Sequence, residues 1–395
     1  MSANVYDVII IGGGAAGLAC AVGLFNGGKK LKIKIIEAGE RFGKKLAATG
    51  NGQGNISNTE MTANRFHGGN TALVEKIACA DVYAGAKLFG CLFTADEKGR
   101  IYPAGKQASS LTDSLLNTLN GFDGDCLANG EKVLKINKND NGFSIQTDKG
   151  AYNCKYAVLC TGGKAQKQFK TDGSSYALAT NLGHTLTPLY PSIVQLKTDT
   201  AHIKTLKGIR VDCSVSAVCE GKVLFCSRGD VIFTEYGVSG NAVFSVSSYV
   251  ADKHNVKLKI EFLPDFSEKE VEESVASAIK SGRQTEELLS GSLHNQIGRA
   301  VIKRAASTSA KDIVRAVKNF TLDVTGTLGF DYAQVTKGGI NMTEITDELE
   351  SKIVKNLFFA GEILDVDGDC GGYNLQWAFT SGLAAAESIL KRVGI

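Results

Sequence analysis

Residues 5–11, VYDVIII, form a short and almost wholly apolar run that breaks into Gly12-Gly13-Gly14, and this junction constrains the chain more than any other feature. A run of that length and composition predicts a strand buried on both faces of a parallel sheet. Residues 15–25 then read as a helix of small residues, and residues 32–37 as a second strand. Strand, glycine turn, helix and strand within about 35 residues make one βαβ-type unit. In Gly12-x-Gly14-x-x-Gly17, Gly12 permits the tight turn, Gly14 lets backbone approach a pyrophosphate, and Gly17 allows helix and strand to pack closely. The free N–H groups around Ala15, Ala16 and Gly17, with the positive end of the helix dipole, favour phosphate.

Glu37 ends the second strand, about 20 residues beyond the glycines, where an acid accepts hydrogen bonds from a ribose. Its charge disfavours a 2′-phosphate, so the pattern predicts FAD or NAD rather than NADP. Residues distant in sequence decide between these two. Val158-Leu159-Cys160-Thr161-Gly162-Gly163 is an apolar strand running into a turn, and Phe358-Phe359-Ala360-Gly361-Glu362 is another strand ending in glycine and acid. The three elements in this order resemble the two-dinucleotide-fold flavoproteins, in which the late segment closes over the flavin. FAD is therefore the expected cofactor, with Thr161, Gly162, Gly361 and Glu362 beside it.

Glycine is abundant, 45 of 395 residues, while proline numbers only four. That excess fits backbone passing close to a ligand better than a flexible linker. Forty-four basic against 41 acidic residues leave +3, too little to predict a nucleic-acid or anionic-membrane binder. No apolar stretch is long enough to span a membrane. The ten cysteines show no C-x-x-C or zinc-ligand spacing, so free thiols in a reducing cytoplasm are expected.

Between residues 39 and 58 lies a loop of glycine, asparagine and threonine with little apolar content. Residues 71–120 look mainly helical around a reversal at 96–103, and residues 131–160 read as a β-meander. Pro188 and Pro191 mark a boundary. Residues 192–263 alternate in short strands, and residues 267–320 turn helical, beginning with the capping box Ser267-Glu268-Lys269-Glu270. The strand near 357–360 lacks a local partner and must pair with the first half. The expected fold is α/β: a Rossmann-like FAD-binding domain, 1–190 and 336–395, split by an inserted β-domain, 191–266, and a helical cap, 267–335.

Several segments together resemble the bacterial NAD(P)/FAD-dependent oxidoreductase family that includes BaiN-type bile-acid reductases and aminoacetone-oxidase-like proteins. They are Lys45-Leu46-x-x-Thr49-Gly50-Asn51-Gly52 with Asn55-x-x-Asn58, and Gly99-Arg100-x-Tyr102-Pro103 with Lys106-x-Ala108-Ser109. Further on come Phe233-Thr234-x-x-Gly237-x-Ser239-Gly240, Lys337-Gly338-Gly339-Ile340, Gly361-Glu362-x-Leu364-Asp365-x-Asp367-Gly368 and Cys370-Gly371-Gly372-Tyr373-Asn374-Leu375-Gln376. The chain departs from the family pattern at Gln53-Gly54, Glu235 and Asn241. The resemblance implies that Lys45, Thr49, Gly50, Asn51, Gly52, Asn55, Asp365, Gly372, Tyr373 and Asn374 join the cofactor site. Short polar side chains in a glycine-rich loop can wrap a flavin edge. The N-terminus of the last helix can stabilise negative charge on a reduced flavin.

A flavin leaves the protein to supply orientation and a proton. Tyr102 and Tyr373 are the expected proton donors, Tyr236 a third candidate, and Arg100 and Lys106 anchors for an oxo or carboxylate group. The resemblance implies reduction of an activated C=C bond, as in a 3-oxo-4-ene steroid or bile-acid intermediate. Oxidation of a small amine is the alternative, and a flavoprotein acting on tRNA a further one. The chain carries a single glycine fingerprint, so NAD(P)H is expected to bind only transiently as electron donor. The partners expected are a small-molecule substrate, and neither nucleic acid nor membrane.

Overall fold

The computed structural model describes residues 4–27, 31–120 and 126–394. The chain divides into two compact units, one of residues 1–190 with 335–395 and one of residues 191–334.

In the first unit, parallel strands lie in the order Leu127–Asn129, Ile33–Glu37, Asn4–Ile11, Ala151–Leu159 and Leu357–Phe359. Val8, Ile9, Ile10, Ile35, Ala157, Val158 and Phe358 are fully buried, as strands covered on both faces require. Ile11 pairs with Ile36 on one side and Leu159 on the other, and Leu159 pairs with Phe359. The carboxyl ends of the central strands are thus level, forming the edge at which open α/β sheets bind ligands. The late strand finds its partner in residues 157–159, more than half the chain away. Gly142–Thr147 and Val133–Asn139 extend the meander antiparallel from the first half of Ala151–Leu159. The helices Ala15–Asn26 and Tyr373–Arg392 pack side by side.

Residues 71–120 are less helical than their composition predicts. Thr71–Val74 continues into a π-helical turn, Glu75–Cys79, and Ala86–Phe89 is one 3₁₀ turn stopped by left-handed Gly90. Phe93–Ala95 and Arg100–Pro103 form a hairpin, and only Ala108–Leu119 is a regular helix of three turns. Closely spaced glycines at 85, 90 and 99 divide the segment before a long helix can propagate.

The second unit is a closed barrel in the order Leu196–Thr198, Gly237–Ser239, Lys222–Phe233, Arg210–Cys219, Val256–Glu261 and Phe320–Thr327, the last returning to the first. Two differences from the sequence reading stand out. Asn241–Val250 is a helix within the expected β-domain. Its buried Ala242, Val243, Val246 and Val250 follow helical spacing, which β-branched composition obscured. Phe320–Thr327 is a barrel strand inside the expected helical cap. Phe320 and Leu322 point inward while Asp323 is exposed, the alternation of a half-buried strand. Barrel residues Val215, Phe233 and Ile260 share one apolar core with Ile297, Val301, Ile313 and Val317 of the helices. The helix Glu268–Lys280 opens on its expected capping box: Glu270 N donates to Ser267 Oγ at 3.2 Å and Ser267 N to Glu270 Oε2 at 2.7 Å.

Candidate functional site

Two of the three glycines meet the steric demands placed on them. Gly12 has φ +105°, and a Cβ there would lie 2.4 Å from the Cys160 carbonyl oxygen. At Gly17 a Cβ would sit 1.9 Å from Gly12 O and 3.3 Å from Ile10 Cγ2, so only glycine lets the helix approach the turn. Gly14 differs: a Cβ there would meet nothing within 4 Å. The helix Ala15–Asn26 starts at Gly14 without a capping side chain and with no acid in its first turn. Its first N–H groups therefore face a space that the protein leaves open. Thr161, on the adjacent strand end, holds a buried hydroxyl with no hydrogen-bond partner among the described residues. An open cradle, uncapped N–H donors and an orphaned hydroxyl fit a pyrophosphate-bearing cofactor.

Glu37 is already engaged. Its Oε2 accepts from Gly13 N at 2.7 Å and its Oε1 from Gly39 N at 2.6 Å. Burial raises the carboxyl above its usual range, and the Gly39 and Gly13 amides oppose that rise. The carboxylate ties the glycine turn to the loop after the second strand, and each oxygen keeps a lone pair for a ribose hydroxyl.

The late segment seats on the first helix. Gly361, with φ +77°, would place a Cβ 2.8 Å from Ala16 Cβ. Its amide donates to Ser381 Oγ at 2.9 Å, and its carbonyl accepts from Trp377 Nε1 at 3.2 Å. Glu362 Oε2 accepts from Lys45 Nζ at 2.8 Å, and Oε1 accepts from Thr336 N at 2.9 Å. Thr336 Oγ1 in turn accepts from Lys164 N and Ala165 N. Lys45 and Glu362 are thus brought together, next to the strand end that carries Thr161 and Gly162. Burial raises Asp365 above its usual range, against the Thr187 hydroxyl and the Lys337 charge.

The polar loop behaves differently from a simple flavin wrap. Thr49 Oγ1 donates to Leu46 O at 2.6 Å, and Gly50, Asn51 and Gly52 form a left-handed turn. Asn51 is exposed. Asn55, with its amide oriented to satisfy both neighbours, donates to Ser57 O at 3.0 Å and accepts from Gly372 N at 3.2 Å. Asn58, which is buried, donates to Gly371 O at 3.1 Å. A Cβ at Gly372, where φ is +105°, would lie 2.2 Å from Ser57 O. Asn374 also turns inward: its Oδ1 accepts from Gly368 N and its Nδ2 donates to Gly368 O, both at 2.8 Å. Asn55, Asn58 and Asn374 therefore shape the glycine turn before the last helix with their side-chain amides. Asn58, absent from the expected cofactor set, was detectable through its place in Asn55-x-x-Asn58.

The two leading tyrosines lie near one another electrostatically, since Cys370 acts on both. Tyr102 stands on the strand Arg100–Pro103, is 7% exposed, and its hydroxyl makes no hydrogen bond within the described residues. Burial raises its phenol, and the Arg100 charge opposes the rise. The Arg100 guanidinium lies 5.8 Å from the Tyr102 ring and is itself paired with Asp96 at 2.6 Å. Tyr373 is 3% exposed and its hydroxyl donates to Glu60 O at 3.3 Å. Its phenol is likewise raised by burial, opposed by Arg65. Burial pushes the Cys370 thiol up to about 11, which keeps it protonated at neutral pH. Lys106 is exposed, and Tyr236 lies in the second unit, in the turn before Gly237–Ser239. Among the described residues no cluster of three potential metal ligands occurs, and no helix is long and apolar enough to cross a membrane.

Residues 6–388 match the HI0933-like protein Rossmann domain family. The chain is 33% identical to a 3-dehydro-bile acid Δ(4,6)-reductase of Clostridium scindens, over 97% of this chain and 98% of that protein. It is also 28% identical to a ribosomal RNA dihydrouridine synthase of Haemophilus influenzae, again over 97% of this chain and 98% of the relative. Among solved structures, a 3-ketosteroid-Δ4-(5α)-dehydrogenase from Rhodococcus jostii superposes with a TM-score of 0.50 at 17% identity, covering 98% of this chain and 97% of that one. A quinol–fumarate reductase gives 0.53 at 16%, covering 99% and 72%. These likenesses agree with a Rossmann-type fold carrying a substantial insertion. The family match over nearly the full length, together with the 33% identical relative, places this chain in the HI0933-like family as an FAD-dependent oxidoreductase.

Proposed function

We propose that this flavoprotein reduces a carbon–carbon double bond conjugated to a carbonyl, with a 3-oxo-ene steroid or bile-acid compound as first substrate class. The observation that carries the reading is the end-to-end similarity to the Δ(4,6)-reductase at 33% identity. Bound FAD supplies hydride transfer; Gly14, the first N–H groups of Ala15–Asn26, Glu37 and Thr161 are the residues proposed to hold its dinucleotide portion. Tyr102 is the proposed proton donor, since its phenol is buried, protonated and without a hydrogen-bond acceptor among the described residues. Tyr373 has its hydroxyl on Glu60 O and is the second choice. NADH or NADPH is the proposed electron donor, binding transiently.

The ribosomal RNA dihydrouridine synthases at 28% and 24% identity support a second reading. The 5,6 double bond of uracil is also conjugated to a carbonyl, so the same hydride and proton delivery would serve either ring. Anaerobic stopped-flow mixing with NADH and NADPH tests the donor. Reoxidation by a 3-oxo-4-ene steroid, by undermodified ribosomal RNA and by oxygen then separates the acceptors, and reduction of the oxidised flavin by aminoacetone tests the amine as donor. Rapid reoxidation by the steroid supports the first reading, and by RNA the second. Peroxide formation from the amine with neither acceptor active would overturn both in favour of an oxidase.

A further inference from the structure

The near-neutral total charge conceals a local imbalance in the second unit. The helices Asn295–Ala305 and Ala310–Lys318 are consecutive and pack against each other. They carry Arg299, Lys303, Arg304, Lys311, Arg315 and Lys318 against Asp312 alone. Lys318 is buried and donates to Glu261 at 2.7 Å, and Arg315 pairs with Asp312 at 3.3 Å. Arg299, Lys303, Arg304 and Lys311 are exposed and make no ion pair within the described residues. The 3₁₀ turn Lys204–Leu206 packs on the first of these helices and adds Lys204, also exposed and unpaired.

Several other cations of the unit are paired. Lys207 pairs with Glu235, Arg210 with Asp230, Arg228 with Asp265, Lys253 with Asp252 and Lys257 with Asp323. Lys197, Lys222 and Lys259 of the barrel strands also make no ion pair within the described residues, so what sets the helical pair apart is the grouping of its unpaired cations. The acids on neighbouring Thr285–Glu287, Glu286 and Glu287, are exposed and leave all five of these cations unpaired. Arg299 and Lys303 stand one helical turn apart, as do Lys311 and Arg315, so their charges align along the helix surfaces.

We propose that this basic face of the second unit binds the phosphate backbone of RNA. The proposal rests on the second functional reading, in which a uracil of ribosomal RNA is the substrate. A substrate of that size needs contacts well away from the reacting ring, and unpaired arginine and lysine are the side chains that supply them. Bulk charge argued against nucleic acid; segregation of charge is the property that matters for a local interface.

The test compares the wild-type holoenzyme with a variant combining Lys204→Gln, Arg299→Gln, Lys303→Gln, Arg304→Gln and Lys311→Gln. Binding of a protein-free ribosomal RNA transcript is measured by fluorescence anisotropy over a salt series. Flavin content and circular dichroism, with anaerobic flavin reduction by the nicotinamide, verify that the variant is folded and loaded. The expected result is an affinity at least about 10-fold weaker, with a log K against log salt slope smaller by about 3, as loss of several phosphate contacts requires. Equal RNA affinity in the two proteins overturns the assignment of this face while leaving the RNA reading standing. No salt-sensitive RNA binding by the wild type overturns both. Retention of the wild type on anionic lipid vesicles without RNA binding also overturns the proposal, and marks the face as a membrane contact.

Discussion

Lys45 Nζ and Glu362 Oε2 stand 2.8 Å apart, an ion pair closed between residues separated by 317 positions. It joins the short helix Lys44–Ala47 to the segment following the last sheet strand. About a fifth of each side chain remains exposed, so water screens the pair only partly. Glu362 also accepts the Thr336 amide, which makes it the more costly member to remove. Glu362→Ala should therefore destabilise the first unit by about 1–3 kcal/mol, and Lys45→Met by less. Urea denaturation of the two variants checks the order, and the reverse order would show that the ion pair outweighs the Thr336 contact.

Substitutions in the glycine turn should separate folding from cofactor binding. Gly14→Val meets open space and adopts an allowed backbone there, φ −83° and ψ −167°. That variant should fold with near-normal stability but purify colourless, because its side chain would fill the proposed pyrophosphate space. Gly17→Ala drives a methyl to 1.9 Å from Gly12 O and should lose both stability and flavin. Visible absorbance per chain and thermal denaturation, measured on both, give the comparison. Full flavin content in Gly14→Val would remove this turn from the cofactor site.

The two tyrosines should answer differently to loss of the hydroxyl. Tyr102→Phe should slow reduction of an enone by roughly 10²–10⁴-fold while leaving flavin reduction by a nicotinamide almost unchanged. Tyr373→Phe removes a hydrogen bond to Glu60 O, so its main effect should be on stability, about 0.5–1.5 kcal/mol. Measuring the two half-reactions separately distinguishes them. Small and equal effects in both halves for Tyr102→Phe would make that residue a packing element.

Acid should weaken the first unit through a buried pair remote from the glycine turn. His184 Nδ1 lies 3.0 Å from Glu344 Oε2, and its Nε2 lies 2.8 Å from Ser351 Oγ. Burial lowers the imidazole below its usual value, against the Glu344 interaction. Burial raises Glu344, but the Thr185 hydroxyl and amide with His184 outweigh it, so that carboxyl sits low. Both folded values lie below the unfolded ones. Their stabilisation is thus present above the unfolded values and lost as pH falls, through His184 first, below about 6.5, and then through Glu344, below about 4.3. Thermal midpoints should decline from neutral pH toward pH 5, and His184→Gln should flatten that decline. An unchanged slope in the variant would assign the acid sensitivity elsewhere. Ser351 Oγ also accepts the Ile353 and Val354 amides, so the Ser351–His184–Glu344 chain is a buried tether.

The parallel sheet was legible because Val8 to Ile11, residues 157–159 and residues 357–359 are apolar on both faces and each ends in glycine or a small polar residue. Gly12 and Gly17 announced steric roles that the structure shows, while Gly14 opens onto free space. Asn55 and Asn374 were harder to read. Their residue type suits a ligand and a turn equally, and only tertiary placement shows their amides spent on Gly372 and Gly368. Phe320–Thr327 was assigned to a cap because helices precede it immediately, while its barrel partners lie at 196–198 and 256–261. The basic face escaped notice because summing charge over a whole chain erases where it sits. Tyr102 and Tyr373 were both read as proton donors, and the structure separates them by the Glu60 carbonyl that engages Tyr373.

The pairing of Leu357–Phe359 with Ala157–Leu159 also orders events during synthesis. Every strand of the barrel lies between residues 196 and 327, so the second unit has all its parts while the sheet of the first is still missing a strand. Ribosomes release chain from the N-terminus, and domains generally fold as units when their residues are available. The inserted barrel can therefore be complete before the cofactor-bearing sheet that surrounds it in sequence. Between those moments the apolar edge of residues 157–159 lacks its late neighbour, and Lys45 lacks Glu362 as its partner. Gly361 and Glu362 thus reach Ala16 and Lys45 only after all the strands of the barrel have been made.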